Sequence, residues 1–191
     1  MDITTVITSG AVAAIATTGL TFAKERHFAN KENERKTKML AIKLAYELEG
    51  FAINISKKIA GNHSFDEALF NYQGVGRISS TLPLLQIEIS EFDWFDLKND
   101  IISQIMNLCH DHTLAVESIG NAVAFDDEVG LREFMMEASF LGYKAWTLAN
   151  EIKNEYNIPK LNLTTIFNDP INDDLIPEYE KWVKEFKKGT K

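Results

Sequence analysis

The chain has 191 residues, of which 45% are hydrophobic and 25% charged, with a formal net charge of −8. That is chain enough for one core of ordinary size, and its acidity argues against nucleic-acid binding, whose main energy comes from lysine and arginine neutralising phosphates. The single cysteine, Cys109, excludes an intramolecular disulfide and fits a reducing compartment.

The first element is an uncharged run from Ile3 to Ala23. Its length is about what a helix needs to cross a bilayer core of roughly 30 Å. It is only moderately apolar, because threonine, alanine and glycine interrupt Ile3, Val6, Ile7, Val12, Ile15, Leu20 and Phe22. A cleaved signal peptide would need a basic start, and this chain starts Met1-Asp2. A helix docked into the body or into a partner protein would also be uncharged. The favoured reading is a membrane-spanning helix over residues 1–23. Lys24, Arg26, Lys31, Arg35, Lys36 and Lys38 follow it, so the positive-inside rule places the N-terminus outside a bacterial inner membrane and the body in the cytoplasm. Gly10, Ala14, Thr17 and Thr21 fall on one strip of small residues, a pattern that lets membrane helices approach closely and self-associate.

Residues 24–39 are polar nearly all round and read as a helical stalk. Charge is segregated behind the run: residues 24–61 carry nine basic and five acidic side chains, residues 62–140 three basic and fourteen acidic. The basic stretch suits anionic lipid heads or, equally, a solvated face with i,i+4 pairs such as Glu32/Lys36. Leu40, Leu44, Leu48, Phe51, Ile55 and Ile59 form a buried helical stripe, and Ile42, Tyr46, Glu49 and Ile53 a second one. Gly61-Asn62 is the expected stop. Ser64 with Glu67 makes a capping box for a short helix from Phe65 to about Tyr72. Gly74, Gly76, Ser79, Ser80 and Pro83 mark a loop, with a weak strand signal at Leu84–Ile89.

A second long helix is expected from Glu91–Asp93, with Trp94, Leu97, Ile101, Ile105, Leu108, His112, Ala115, Ile119 and Ala122 facing inward. Asp126-Asp127 breaks and caps. A third helix then buries Leu131, Phe134, Ala138, Leu141, Ala145, Leu148 and Ile152 and ends at Asn157-Ile158-Pro159. Residues 160–176 read as irregular. Pro177 opens a terminal helix with Tyr179, Trp182, Val183 and Phe186. The fold class is all-α: an antiparallel three- to four-helix bundle over residues 40–191 on the helical stalk.

Leu48-Glu49-Gly50-Phe51-Ala52, Leu82-Pro83 ahead of Phe92-Asp93-Trp94, and Gly142-Tyr143-Lys144-Ala145-Trp146 through Tyr156-Asn157-Ile158-Pro159 carry a resemblance. Over residues 40–159 the chain resembles a group of uncharacterised bacterial or prophage-borne helical proteins that open with a hydrophobic helix. The resemblance implies a helical fold and brings no activity, cofactor or site residues.

Candidate chemistry is sparse. Cys109-His110-Asp111-His112 is the densest set of metal-ligand types, but only Cys109 and His112 share a helical face. A metal site would need Glu49 or Glu117 from elsewhere, and a core histidine is the simpler reading of His112. Glu49, among apolar neighbours, needs a partner or a raised pKa. Arg77, Lys98 and Arg132 are the expected partners, and a proton-accepting or ligand-binding carboxylate is the alternative. Gly74-Val75-Gly76-Arg77 lacks the strand and Gly-Lys-Ser/Thr ending of a phosphate loop. Asn168-Asp169 with Asn172-Asp173-Asp174 lacks the glycine and final glutamate of a calcium loop, and reads as helix capping. The sequence therefore predicts no catalytic residues and no cofactor. It predicts a membrane-anchored interaction protein, a scaffold, sensor or accessory subunit, whose partners are the membrane and itself or another protein. The competing readings are a soluble helical subunit whose first helix docks into a partner, and a metal- or ligand-binding helical enzyme.

Overall fold

Asp126 alone separates two long helices. Its extended backbone (φ −163°, ψ 139°) breaks the helical path, and its carboxylate accepts from the backbone N–H groups of Glu128 (2.8 Å) and Val129 (3.2 Å). That is an N-cap, which satisfies amides a new helix would otherwise leave orphaned. The helix before it is α2 (Asn99–Phe125) and the helix after it α3 (Asp127–Glu155). So short a link forces an antiparallel hairpin. Gly130 makes the turn possible, because a Cβ there would stand 2.8 Å from the backbone of Val123.

The computed structural model describes the backbone of residues 3–70, 80–85, 87, 97–159 and 169–189, and side chains from residue 26, in the first helix as far as His63. That first helix, α1, spans Ile3–Phe70, and the last, α4, spans Ile176–Gly189. The described residues contain no strand, and the all-α class holds. Leu84, in the segment with the weak strand signal, is irregular and exposed. The chain divides into two compact units, Met1–Leu40 and Ala41–Lys191.

In the first unit the described side chains of residues 26–36 are all exposed, Phe28 among them. Among the described residues no helix is long and apolar enough to cross a membrane. The spanning helix expected over residues 1–23 therefore gains no support from the fold. The backbone is helical from Ile3, while the side chains of that moderately apolar run, with the Gly10, Ala14, Thr17 and Thr21 strip, lie outside the described residues.

In the second unit α1 contributes Leu44, Leu48, Phe51, Ile55 and Ile59 to the core, filled out by Ala41, Ala45, Ala52 and Ser56. It runs antiparallel to α3, since Glu49 meets Lys153 and Asn62 meets Met135. Gly142 allows that approach, because a Cβ there would stand 2.9 Å from Ile55 and 2.8 Å from Leu175. Ile101, Ile105, Leu108, Ala115 and Ile119 of α2 and Phe134, Ala138, Leu141, Ala145, Leu148 and Ile152 of α3 complete the core as their spacing required. Tyr46, placed on a buried stripe by spacing, is exposed.

Three boundaries differ from the sequence expectation. Gly61-Asn62 does not stop α1, and Ser64 lies within the helix rather than at its start. A glycine inside a helix costs only about 1 kcal/mol, and tertiary contacts outweigh that here: Asn62 is buried against Met135, and His63 pairs with Glu178. The second helix starts at Asn99 rather than near Glu91–Asp93, after an extended Lys98; Trp94 lies outside the described residues. The terminal helix starts before Pro177. Asp169 accepts from the N–H groups of Ile171 (3.2 Å) and Asn172 (3.4 Å), and Pro170 stands at the first helical position. A proline fits there because its missing N–H would have had no partner anyway. A π-helical turn, Ile171–Leu175, then leads into α4. At the other end of α3, Asn157 takes a left-handed conformation (φ 50°), and Ile158 N–H closes onto Lys153 O. This is the usual way of ending a helix beyond its last turn.

Candidate interaction site

Glu133, Glu137, Phe140, Lys144 and Thr147 recur on α3 at spacings of 4, 3, 4 and 3, which puts them along one face. Glu137, Phe140, Lys144 and Thr147 line a groove of about 690 Å³ with Asp111, Leu114 and Ser118 of α2 and Tyr179 of α4; Glu133 lies outside it, in the neighbouring groove, and accepts from Ser118. The opposite stripe of α3 is committed to the core, so this face is free to carry polar and aromatic groups.

The groove has an aromatic end wall. Tyr143 and Tyr179 stack with centroids 3.9 Å apart, and Phe140 stands edge-on to Tyr179 at 5.3 Å. Such ring packing fixes side chains at low entropic cost. It continues through Phe186, 5.8 Å from Phe140, into a second groove of about 510 Å³ between α3 and α4. Leu114 forms the opposite lip and is half exposed.

Electrostatics divide the groove. Lys144 and Asp111 neutralise each other at 2.6 Å. Toward the N-terminus of α3 no ion pair neutralises Glu133 or Glu137 among the described residues, although Arg132 lines the neighbouring groove with Glu133. Glu133 accepts from Ser118 Oγ at 2.5 Å. Burial pushes the Glu137 carboxyl above the usual carboxylate range, and the charges of Glu133 and Asp111 push it further. A positive charge seated there would relieve Glu137 and Glu133, Asp111 being already paired with Lys144.

Glu49 is salt-bridged, but not to Arg77, Lys98 or Arg132. Its partner is Lys153, fully buried on α3 and 5.2 Å above the Tyr46 ring. Lys98 pairs with Glu155, and Arg132 lies over Trp182 at 5.7 Å. Arg77 and the Gly74–Gly76 turn lie outside the described residues. Lys153 follows the buried Ala149 by four residues, a spacing that marks its face as buried but does not name its partner. Glu49 Oε2 is buried and has no hydrogen-bond partner among the described residues.

The Cys109 and His112 pair is not drawn into one centre with Glu49. His112 Nε2 lies 2.9 Å from Pro83 O, with its ring edge-on to Phe51. Burial raises the Cys109 thiol pKa, which keeps it protonated and weakens it as a ligand or nucleophile. His110 and Glu117 are exposed. Among the described residues no group of three or more His, Cys, Asp or Glu side chains is placed to hold a metal ion.

A third cluster escaped the sequence reading. Glu178, almost fully buried, accepts from Trp182 Nε1 (2.7 Å) and Lys181 Nζ (2.9 Å), and its second oxygen meets His63 Nε2 at 3.2 Å. It fastens α4 to α1, with both carboxylate oxygens engaged in those contacts. No family model, curated protein or solved structure matches the chain.

Proposed function

We propose that the protein is a non-catalytic helical interaction protein, in which the α2/α3/α4 groove receives a cationic helix and the N-terminal run holds the bundle at a membrane. The observation that carries the first part is the groove's composition: aromatic walls, an exposed Leu114 lip, and the Glu137 and Asp111 carboxylates with, among the described residues, one lysine, Lys144, and with Glu133 in the groove next to it. Grooves of this kind take the apolar face of a helix and discriminate by the charges along their rims. Support for the second part is confined to the uncharged Ile3–Ala23 run and the basic residues that follow it.

A photocrosslinker placed at Leu114 in the full-length protein is expected to capture a protein partner. The same group at Met106, equally exposed on α2 but away from the groove, is expected not to. Absence of adducts at Leu114, or equal yields at both positions, sinks the docking reading. Full-length protein is expected to stay with membranes through a high-salt wash and to need detergent for release. Release by salt alone sinks the anchor.

A further inference from the structure

We propose that the occupant of the groove is the basic segment of a second copy of this chain, residues 26–39 of α1. This rests on reading the groove as a docking surface for a cationic helix. Within α1, Phe28, Lys31, Arg35 and Lys38 recur at spacings of 3, 4 and 3, which places them on one face of the helix. All four are exposed. Glu32 and Glu34 border this stripe, each roughly 80° from its centre at ~100° per residue, and at i,i+4 spacing from Phe28 and Lys38. The centre of the face is one aromatic ring followed by three cations.

The groove presents the complementary order. Glu137 of this groove and Glu133 of the groove next to it stand four residues apart on α3, as Lys31 and Arg35 do on α1, and Phe140 follows Glu137 by three residues. Two helices packed side by side with a heptad-like seam bring such stripes into register. Antiparallel seating puts Phe28 against Phe140 and the Tyr143/Tyr179 stack, with Lys31 and Arg35 over Glu137 and Glu133. The cations then meet the carboxylate that burial and two like charges already disfavour as an anion. The Lys144–Asp111 pair, neutral as a unit, lies beyond the seam's aromatic end. The same residues explain why a second copy fits better than an arbitrary acidic or neutral helix: an acidic segment would add a third like charge to the Glu133/Glu137 turn.

The contact is heterologous, since one copy gives its basic segment and the next its groove. It therefore builds rings or open arrays, and confinement at a membrane raises its effective concentration. The experiment is light scattering and sedimentation on full-length protein in mild detergent, at low and at high salt. The unaltered protein is expected to show a mass that rises with concentration and falls as salt is raised. Lys31→Glu with Arg35→Glu, and separately Glu133→Lys with Glu137→Lys, are each expected to weaken association about tenfold or more, near 1.4 kcal/mol. Mixing the two charge-reversed proteins is expected to restore it. The Lys31 and Arg35 changes are on fully exposed helix and keep the test valid even if the groove variant folds poorly. A monomer at all concentrations overturns the proposal, as does association untouched by either reversal. Adducts at Leu114 that contain only another protein, with no second copy, overturn this proposal and leave the docking reading standing. No adducts at all overturn both.

Discussion

The core and the groove each hold carboxylates against lysine, and the two places use the same chemistry to opposite ends. Glu49 and Lys153 face each other inside the bundle, both nearly inaccessible, with one carboxylate oxygen left without a hydrogen bond among the described residues. Asp111 and Lys144 pair at 2.6 Å with each side chain over two-fifths exposed. Beside them, Glu137 carries a charge that its surroundings disfavour. In the core, removing either partner strands a charge that water cannot reach. In the groove the paired acid is open to water, while Glu137 is only partly buried, and losing a partner there strands no fully buried charge. Burial, rather than the residue types, decides which acid is structural and which is free to recognise.

The sharpest way to break this contrast is to strand the core charge. Lys153→Met is expected to cost about 3–5 kcal/mol, read from chemical denaturation, because Glu49 would remain buried and unpaired. Glu49→Leu combined with Lys153→Met is expected to recover most of that loss, since apolar replacement of a whole buried pair is often neutral or stabilising. A double variant as unstable as the single one would mean that the pair is held by packing that these side chains cannot mimic. The apolar neighbours give the next scale. Leu48→Ala and Ile105→Ala, both at sites with no exposure, are each expected to cost about 2–5 kcal/mol. Changes of a few tenths at both would mean that the core does not lie where these stripes put it.

Much of the core was legible in the sequence because burial is written in its spacing. Leu48, Ile55, Ile105, Leu108, Phe134 and Ile152 follow from periodicity alone, and Asp126 and Asn157 from the chemistry of helix ends. What misled was local punctuation overruled by distant contacts. Gly61 and Ser64 carry stop and start signals, yet Asn62 and His63 are held by Met135 and Glu178, more than 70 residues away in the chain. Lys153 could not be chosen as the partner of Glu49 without the crossing of α1 over α3. The groove was missed for another reason. Its α3 stripe is polar and aromatic, so it reads as a solvated face until Tyr179 arrives from α4 to give it a wall.

On the exposed side, Asp111→Asn is expected to change stability by about 0–1 kcal/mol, as solvent-exposed ion pairs usually do. It leaves Lys144 solvated rather than stranded. A loss approaching that of Lys153→Met would erase the distinction between the two lysine–carboxylate pairs.

Glu137 offers the finest test, because its signature is a slope with pH rather than a magnitude. Its folded-state pKa is raised by burial, by Glu133 and by Asp111. A carboxyl raised in the folded state binds its proton more tightly there than in the unfolded chain. Its favourable contribution is therefore complete below the ordinary carboxyl pKa and is lost as pH rises through the higher folded value. Glu137→Gln removes the titration while keeping the shape. Relative to the unaltered protein, the variant is expected to gain stability over the pH window above the ordinary carboxylate pKa, where the raised group ionises. Denaturation midpoints of the two proteins across that window measure it directly. Parallel curves would mean that Glu137 is as well solvated as Asp111, and the groove would then hold no unmet demand for a cation. Adding the peptide of residues 26–39 to the unaltered protein is expected to lower the Glu137 pKa and reduce the difference between the curves, because a bound cation favours the ionised carboxylate.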